Sequence, residues 1–369
     1  MSDYPFTPLA ASLPDTVPFV GPEALERKRG KRFRARIGAN ESVFGPSPKA
    51  IAAMRAAAAD VWMYADPENH DMKAALAAHH GVAPENIVVG EGIDALLGHT
   101  VRLFVEPGVA VATSLGAYPT FIFHVAGYGG RLVTVPYRDD REDPETLIDL
   151  AERERARLIF LANPDNPMGT WSDAGTVAAM IDRIPDHAIL VLDEAYGDFA
   201  PLGTLPPLDV SNPRVLRYRT FSKAHGMAGA RIGYAIGEAG LIKSFDKIRN
   251  HFAVNRIALA GALASLADPD YIADVVRRAA AARARIAAIA ESNGLASLPS
   301  ATNFVAVDCG ADGLFARRVL EELGARDIFV RMPAAAPLNR CIRVSAGLEA
   351  DLDLFEAALP EGLAAARDG

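Results

Sequence analysis

Five kinds of side chain that could act together on one small molecule fall near the ends of three apolar runs. RLIFLANP (157–164) leads into NPDNPMG (163–169), which offers Asn166. AILVLDEAY (188–196) supplies Asp193 and, three residues on, Tyr196. VLRYRTFSK (215–223) ends in Ser222 and Lys223, with Arg231 eight residues later. Taken singly, each has an ordinary explanation. Asp193 could cap a helix, Lys223 could be a solvated loop lysine, NPDNPMG is a good turn, and Arg231 could belong to a surface ion pair. Short apolar runs of this kind read as strands of an open parallel sheet, which binds ligands beyond the carboxyl ends of its strands. An acid, an amine, a phenol, an amide and a guanidinium would then reach one rim.

That set matches what pyridoxal phosphate requires. Its aldehyde needs a lysine amine for a Schiff base. Its pyridine nitrogen needs a carboxylate to stay protonated, because the protonated ring is the electron sink. The ring hydroxyl needs a phenol or an amide, and the phosphate needs backbone N–H groups at a helix start with hydroxyl and guanidinium donors. VVGEGIDAL (88–96) reads as strand, glycine turn and helix start, so Gly92, Ile93 and Asp94 can aim N–H groups at an anion. The same string reads G-x-G-x-x-A, and a nicotinamide enzyme is the rival reading. That fingerprint calls for an acid at the end of the next strand, where VAVAT instead ends in Thr113 and Ser114.

The elements that must position these groups follow from the pattern. Runs at 87–90, 109–113, 131–137, 157–164, 188–196, 215–223 and 231–237 alternate with helical stretches, which predicts a parallel sheet covered on both faces. FGPSP (44–48) caps an alanine-rich helix to about Asp60. Beyond residue 240 the composition shifts, with a long helix over 270–292 and strands at 302–308 and 341–347 suggesting a smaller α+β domain. The expected division is an N-terminal arm over 1–44, a large domain over 45–255 and a small domain over 256–369.

The bulk properties are permissive. At 369 residues and half apolar, the chain can form a large and a small domain. A net charge of −8 gives no sign of a nucleic-acid surface or a membrane anchor. Two cysteines, Cys309 and Cys341, argue against a disulfide framework. The opening MSDYPFTPLAASLPD has no basic region followed by an apolar run, so no signal peptide is expected and a cytoplasmic protein is. His79 and His80 are adjacent, unlike metal ligands sharing a helix face, and no metal is expected.

On NPDNPMG, LDEAY and TFSKAHGMAGARIGY, found in that order, the chain resembles the fold-type I pyridoxal phosphate aminotransferases of the histidinol-phosphate aminotransferase-like branch, from about Asn40 to Gly347. The resemblance implies a mostly parallel central sheet sandwiched by helices, plus a smaller α+β domain. It implies transfer of an amino group between an amino acid and a 2-oxo acid. Lys223 would hold the cofactor and act as general base and acid, and Asp193 would pair with the pyridine nitrogen. Asn166 and Tyr196 would hold the ring oxygen, and Tyr118 would stack on the ring. Gly92, Ile93, Asp94, Ser222 and Arg231 would hold the phosphate. Tyr64, in MYADP, would reach the cofactor phosphate of a neighbouring subunit, so a homodimer with a shared site is implied. Arg343, in CIRVSAG, would grip the substrate carboxylate near Asn40, and an arginine inside an apolar strand is costly unless paired.

Two departures bear on the substrate. Arg331, in IFVRMP, matches the family's position for a substrate phosphate, but Phe19 stands where that family has a tyrosine hydroxyl. Ile93 is bulky where a small residue is preferred. An aromatic or other α-amino acid therefore stands beside histidinol phosphate as the expected substrate. A lyase or decarboxylase of the threonine-phosphate decarboxylase type would use the same cofactor residues. A non-catalytic binding or regulatory protein of this fold is a third reading, against which stand candidates for every cofactor role.

Overall fold

The computed structural model describes residues 4–16 and 19–368. After a two-residue strand β1 (Ala35–Arg36) come the strands of the main sheet. These are β2 (Ile87–Gly90), β3 (Ala110–Ser114), β4 (Arg131–Val135), β5 (Leu158–Ala162), β6 (Ile189–Asp193), β7 (Val215–Thr220) and β8 (Gly233–Ile236). They line up in the order β2-β8-β7-β6-β5-β3-β4. The neighbours from β4 across to β7 pair in parallel, each connection being long enough to cross the sheet.

One strand breaks the parallel run, so the sheet is mostly parallel, as the resemblance implies. β8 runs antiparallel to both β7 and β2. No crossover helix separates β7 from β8. The connection holds only the short 3₁₀ turn Ala228–Ala230, so the chain reverses rather than crossing the sheet. This reversal brings Arg231, just before β8, back to the rim where β7 releases Lys223.

Alternate residues along each strand point to opposite faces, and both faces are covered. Val111, Phe160, Val191 and Leu216 pack with Leu97, Val101 and Phe121 from helices Ile93–Phe104 and Pro119–Gly127. Ala112, Ile159, Leu161, Leu190 and Leu192 pack with Leu147, Ile148, Val177 and Met180 from helices Pro144–Arg153 and Ala174–Asp182. Each of these side chains larger than alanine contributes roughly 1.5–3 kcal/mol of burial, which makes the sheet a stiff floor for its rim. The helix after FGPSP spans Pro48–Ala57, with Ser47 Oγ accepting from Ala50 N–H at its start.

The C-terminal part adds β9 (Ala296–Ser297), β10 (Phe304–Asp308), β11 (Ile328–Phe329) and β12 (Cys341–Ser345). β9, β10 and β12 form a three-stranded antiparallel sheet, and β11 pairs with β1. Helices Pro269–Ser292, Gly313–Ala325 and Glu349–Asp368 bury one core with these strands, around Ile286, Phe304, Val319, Ile342 and Phe355. Among the described residues no helix is long and apolar enough to cross a membrane.

Candidate active site

The rim of the main sheet opens into a cavity of about 340 Å³ lined by Ile93, Asp94, Tyr118, Asn166, Asp193, Tyr196, Ser222, Lys223 and Arg231. Asp193 ends β6, Lys223 follows β7 by three residues, and Asn166 lies in the loop that follows β5. The helix Ile93–Phe104 starts at the cavity beyond β2. Strand direction thus accounts for the convergence, as expected for an open parallel sheet.

Asp193 is buried and accepts from the N–H of Ala195 at 2.9 Å. Burial pushes its carboxyl up to about 7; the Ala195 N–H opposes this, the nearby charge of Asp94 adds to it, and Lys223 opposes it. A cation facing Asp193 from within the cavity would be needed to hold it fully charged at neutral pH. The Lys223 amine donates to the carbonyl of Asn40 at 3.1 Å and lies 5.4 Å from the Tyr196 ring centroid. Asn40 is held with φ 58°, and its amide donates to the Tyr196 hydroxyl at 3.1 Å.

The helix-start side of the cavity is built around absent side-chain volume. Gly92 has φ 94° and ψ 166°, a region essentially restricted to glycine. A Cβ there would fall on the guanidinium of Arg231, so the glycine turn, Arg231 and Ser222 surround a space suited to a compact anion. The Tyr118 hydroxyl donates to Asp94 Oδ1 at 2.7 Å, and burial followed by the charge of Asp94 raises its pKa. That bond fixes the Tyr118 ring as one wall.

Arg343 approaches from β12. It is buried, donates through Nη1 to Asn166 Oδ1, and leaves Nε without a partner. Burial pushes it down to about 10. Among the described residues no acid lies within salt-bridge distance of it, so a buried guanidinium is kept for a ligand anion. Arg331 bridges Arg343 backbone to backbone and lies with its guanidinium 5.3 Å from the Phe19 ring centroid and 5.4 Å from that of Phe329. Its Nη2 donates to Val20 O at 2.8 Å. Phe19 in turn stands 6.3 Å from Tyr118, ring to ring.

Of the residues singled out from sequence, Tyr64 alone stands apart. It is 76% exposed, packs on Phe252 at 4.6 Å and does not line the cavity. Sequence reasoning missed Glu41 and Thr220, which also line the cavity. It also missed three groups behind it, Tyr137, Glu142 and Asp165. Asp165 is inside a motif that was noticed, but nothing in the pattern around Glu142 marks it as buried.

The fit to pyridoxal phosphate rests on four features: the glycine cradle against Arg231, an amine and a buried carboxyl facing one cavity, the fixed Tyr118 wall, and the unpaired Arg343. The comparisons agree. The family model for aminotransferase class I and II matches residues 36–357. A histidinol-phosphate aminotransferase of Mesorhizobium japonicum is 34% identical over 92% of this chain and 93% of its own length. One from Roseiflexus castenholzii is 36% identical over 92% and 93%. The crystal structure of a histidinol-phosphate aminotransferase from Sinorhizobium meliloti in complex with pyridoxal-5'-phosphate superposes with a TM-score of 0.95, at 57% identity and 98% coverage of both chains.

Proposed function

Because the chain belongs to the class I and II aminotransferases and is a pyridoxal phosphate-dependent aminotransferase of fold type I, we propose that it moves the amino group of histidinol phosphate to a 2-oxo acid at the cavity containing Lys223 and Asp193. The observation that carries this reading is the pairing of that cavity with two guanidiniums, Arg343 and Arg331, neither of which has an acid partner among the described residues. The relatives' names supply the donor.

In this reading Gly92, Ile93 and Asp94 hold the cofactor phosphate with backbone N–H groups, joined by Ser222 and Arg231. Asp193 would face the pyridine nitrogen, Asn166 and Tyr196 would hold the ring oxygen, Tyr118 would cover a ring face, and Lys223 would hold the aldehyde end. When bound, the cofactor supplies the electron sink that lets a proton leave the carbon bearing the amino group. Asp193 opposite a protonated ring nitrogen gains the cation that its raised pKa calls for. Lys223, whose amine faces the cavity, would take the proton from the substrate carbon as base and return it as acid. Asn40, hydrogen-bonded to both Lys223 and Tyr196, keeps the amine on the cavity side. Arg343, through its free Nε, and Arg331 would together take the one phosphate of histidinol phosphate, and would take the carboxylates of the oxo acid in the return half of the reaction.

Phe19 favours a second reading for the donor, an aromatic α-amino acid. Its ring adjoins Tyr118 and Arg331 and has no hydroxyl to give a phosphate. The site would also be completed by a second copy of the chain, with Tyr64 and the exposed Trp62 and Phe252 lying in a homodimer interface. Two buried free cysteines accord with a cytoplasmic location.

The test is optical and kinetic. Histidinol phosphate should bleach the yellow holoenzyme, and 2-oxoglutarate should restore the colour. A kcat/KM for phenylalanine or tyrosine exceeding that for histidinol phosphate would replace the first reading with the second. Bleaching by neither donor would reject both.

A further inference from the structure

Behind the cavity lie two buried carboxyl groups that the reaction as described does not use. Asp165 Oδ1 accepts from the Tyr137 hydroxyl at 2.9 Å, and Oδ2 accepts from Met168 N–H at 3.0 Å. Glu142 accepts from Ser114 Oγ at 2.7 Å and from Ala162 N–H at 2.9 Å. Both line one small void of about 10 Å³ under the NPDNPMG loop. Neither has a lysine or arginine within salt-bridge distance among the described residues. Two buried acids without a cation do not both ionise, because each raises the other's affinity for a proton. Burial and the charge of Asp165 push the Glu142 carboxyl well up. Burial also pushes Asp165 up, to about 7, against its two donors and the charge of Arg343. Near neutral pH the pair therefore shares protons, and hydrogen bonds rather than an ion pair hold it in place.

The placement of Asp165 gives its hydrogen bonds a use. Met168 N–H closes the loop onto Asp165, and the next residue, Asn166, receives Arg343 Nη1. Tyr137 follows β4 of the main sheet and packs with Met168, Ala306, Leu338 and Cys341. Cys341 is two residues before Arg343 on β12, so it shares that residue's face of the strand. The connected series Tyr137–Asp165–Asn166–Arg343 thus runs from the main sheet to the three-stranded sheet. It meets the substrate-facing guanidinium from behind, without occupying the free Nε.

We propose that Asp165, held by Tyr137, is a positioning residue that sets Asn166 and Arg343 in the orientation that receives the substrate anion. It rests on the reading that Arg343 binds that anion. Asp165 touches neither substrate nor cofactor, and its effect is on anion affinity. Asparagine at 165 keeps the geometry, because its oxygen can accept from Met168 N–H while its amide donates to the Tyr137 hydroxyl. Alanine removes both bonds, and Tyr137→Phe removes one.

The test measures 2-oxoglutarate binding to each holoenzyme by calorimetry, since the oxo acid cannot react before an amino group is loaded. Steady-state KM and kcat and the cofactor absorption maximum are recorded alongside. D165A should weaken binding and raise KM about tenfold, Y137F two- to fivefold, and D165N less than twofold, with kcat and the absorption maximum held. Should D165A fail to fold, Y137F alone decides: unchanged affinity overturns the proposal, as does a fall in kcat at constant KM. Arg343→Ala is the control. If it also leaves 2-oxoglutarate binding unchanged, or if the parent enzyme does not bind 2-oxoglutarate, the reading of Arg343 fails first.

Discussion

Arg331 and Arg343 face each other across a single antiparallel bridge: Arg343 N–H donates to Arg331 O at 2.6 Å, and Arg331 N–H returns to Arg343 O at 3.2 Å. Directly opposed residues of an antiparallel pair project to the same face. The backbone thereby sets two like charges side by side, and the charge of Arg331 helps lower the pKa of Arg343. Such an arrangement is relieved by an anion between or beside the guanidiniums.

Replacing Arg343 with lysine should therefore be costly even though the charge is kept. Lysine cannot bond Asn166 and a substrate anion together in one plane. Loss of a charge-assisted bond worth about 1.5–3 kcal/mol raises KM for the oxo acid by roughly 10- to 100-fold. Kinetics with varied 2-oxoglutarate check this, and an unchanged KM would place the anion elsewhere.

Phe19→Tyr adds a hydroxyl beside Arg331 without removing the ring. For a phosphate-bearing donor the gain should be roughly three- to tenfold in kcat/KM, the size of one hydrogen bond. For phenylalanine as donor little change is expected. The ratio of the two specificities in the variant and the parent reads out which donor the arm accommodates.

Gly92→Ala forces a side chain into a glycine-only backbone region and onto Arg231. Strain of about 1–3 kcal/mol should appear as a roughly 5- to 150-fold loss of pyridoxal phosphate affinity. Dialysis followed by titration with the cofactor measures it, and the cofactor-free protein should stay folded.

Asp193 provides a pH signature in the cofactor-free protein. Its pKa is raised from 3.8 to about 7 in the fold, so between those values the native state holds a proton that the unfolded chain has released. Stability therefore falls as pH rises through this window, by on the order of 4 kcal/mol from this group alone. Asp193→Asn has no such proton and should gain on the parent from pH 4 to pH 8 in denaturant unfolding. The same variant, loaded with cofactor, should lose on the order of 10²-fold or more in kcat, because the ring nitrogen loses its counter-charge.

Much of the site was legible because strand direction carries it. Asp193, Ser222, Lys223 and Asn166 stand at or just beyond strand ends, and alternation of apolar runs with helices is enough to bring such residues to one rim. The reversal at β8 was less visible. The run 231–237 is as apolar as its parallel neighbours, and only the shortness of its link to β7 signals the change. Arg331 and Phe19 could be named from the resemblance, but their contact joins residues 312 positions apart, and no local pattern encodes it. Glu142 illustrates the limit of patterning. A glutamate in the polar stretch RDDRED reads as solvated, yet Ser114 and the Ala162 N–H draw it inward. Tyr64 has no such local signal either: its ring is exposed, and only the resemblance points it toward a neighbouring subunit's site.

The most direct measurement concerns the amine at 223. Borohydride reduction of the yellow holoenzyme, followed by proteolysis and mass spectrometry, locates the covalently fixed cofactor. The pyridoxyl mass should sit on the peptide containing Ser222 and Lys223 and be missing from Lys223→Ala. Finding it on another lysine, or on none, would contradict the assignment of this cavity as the place where the amino group is exchanged.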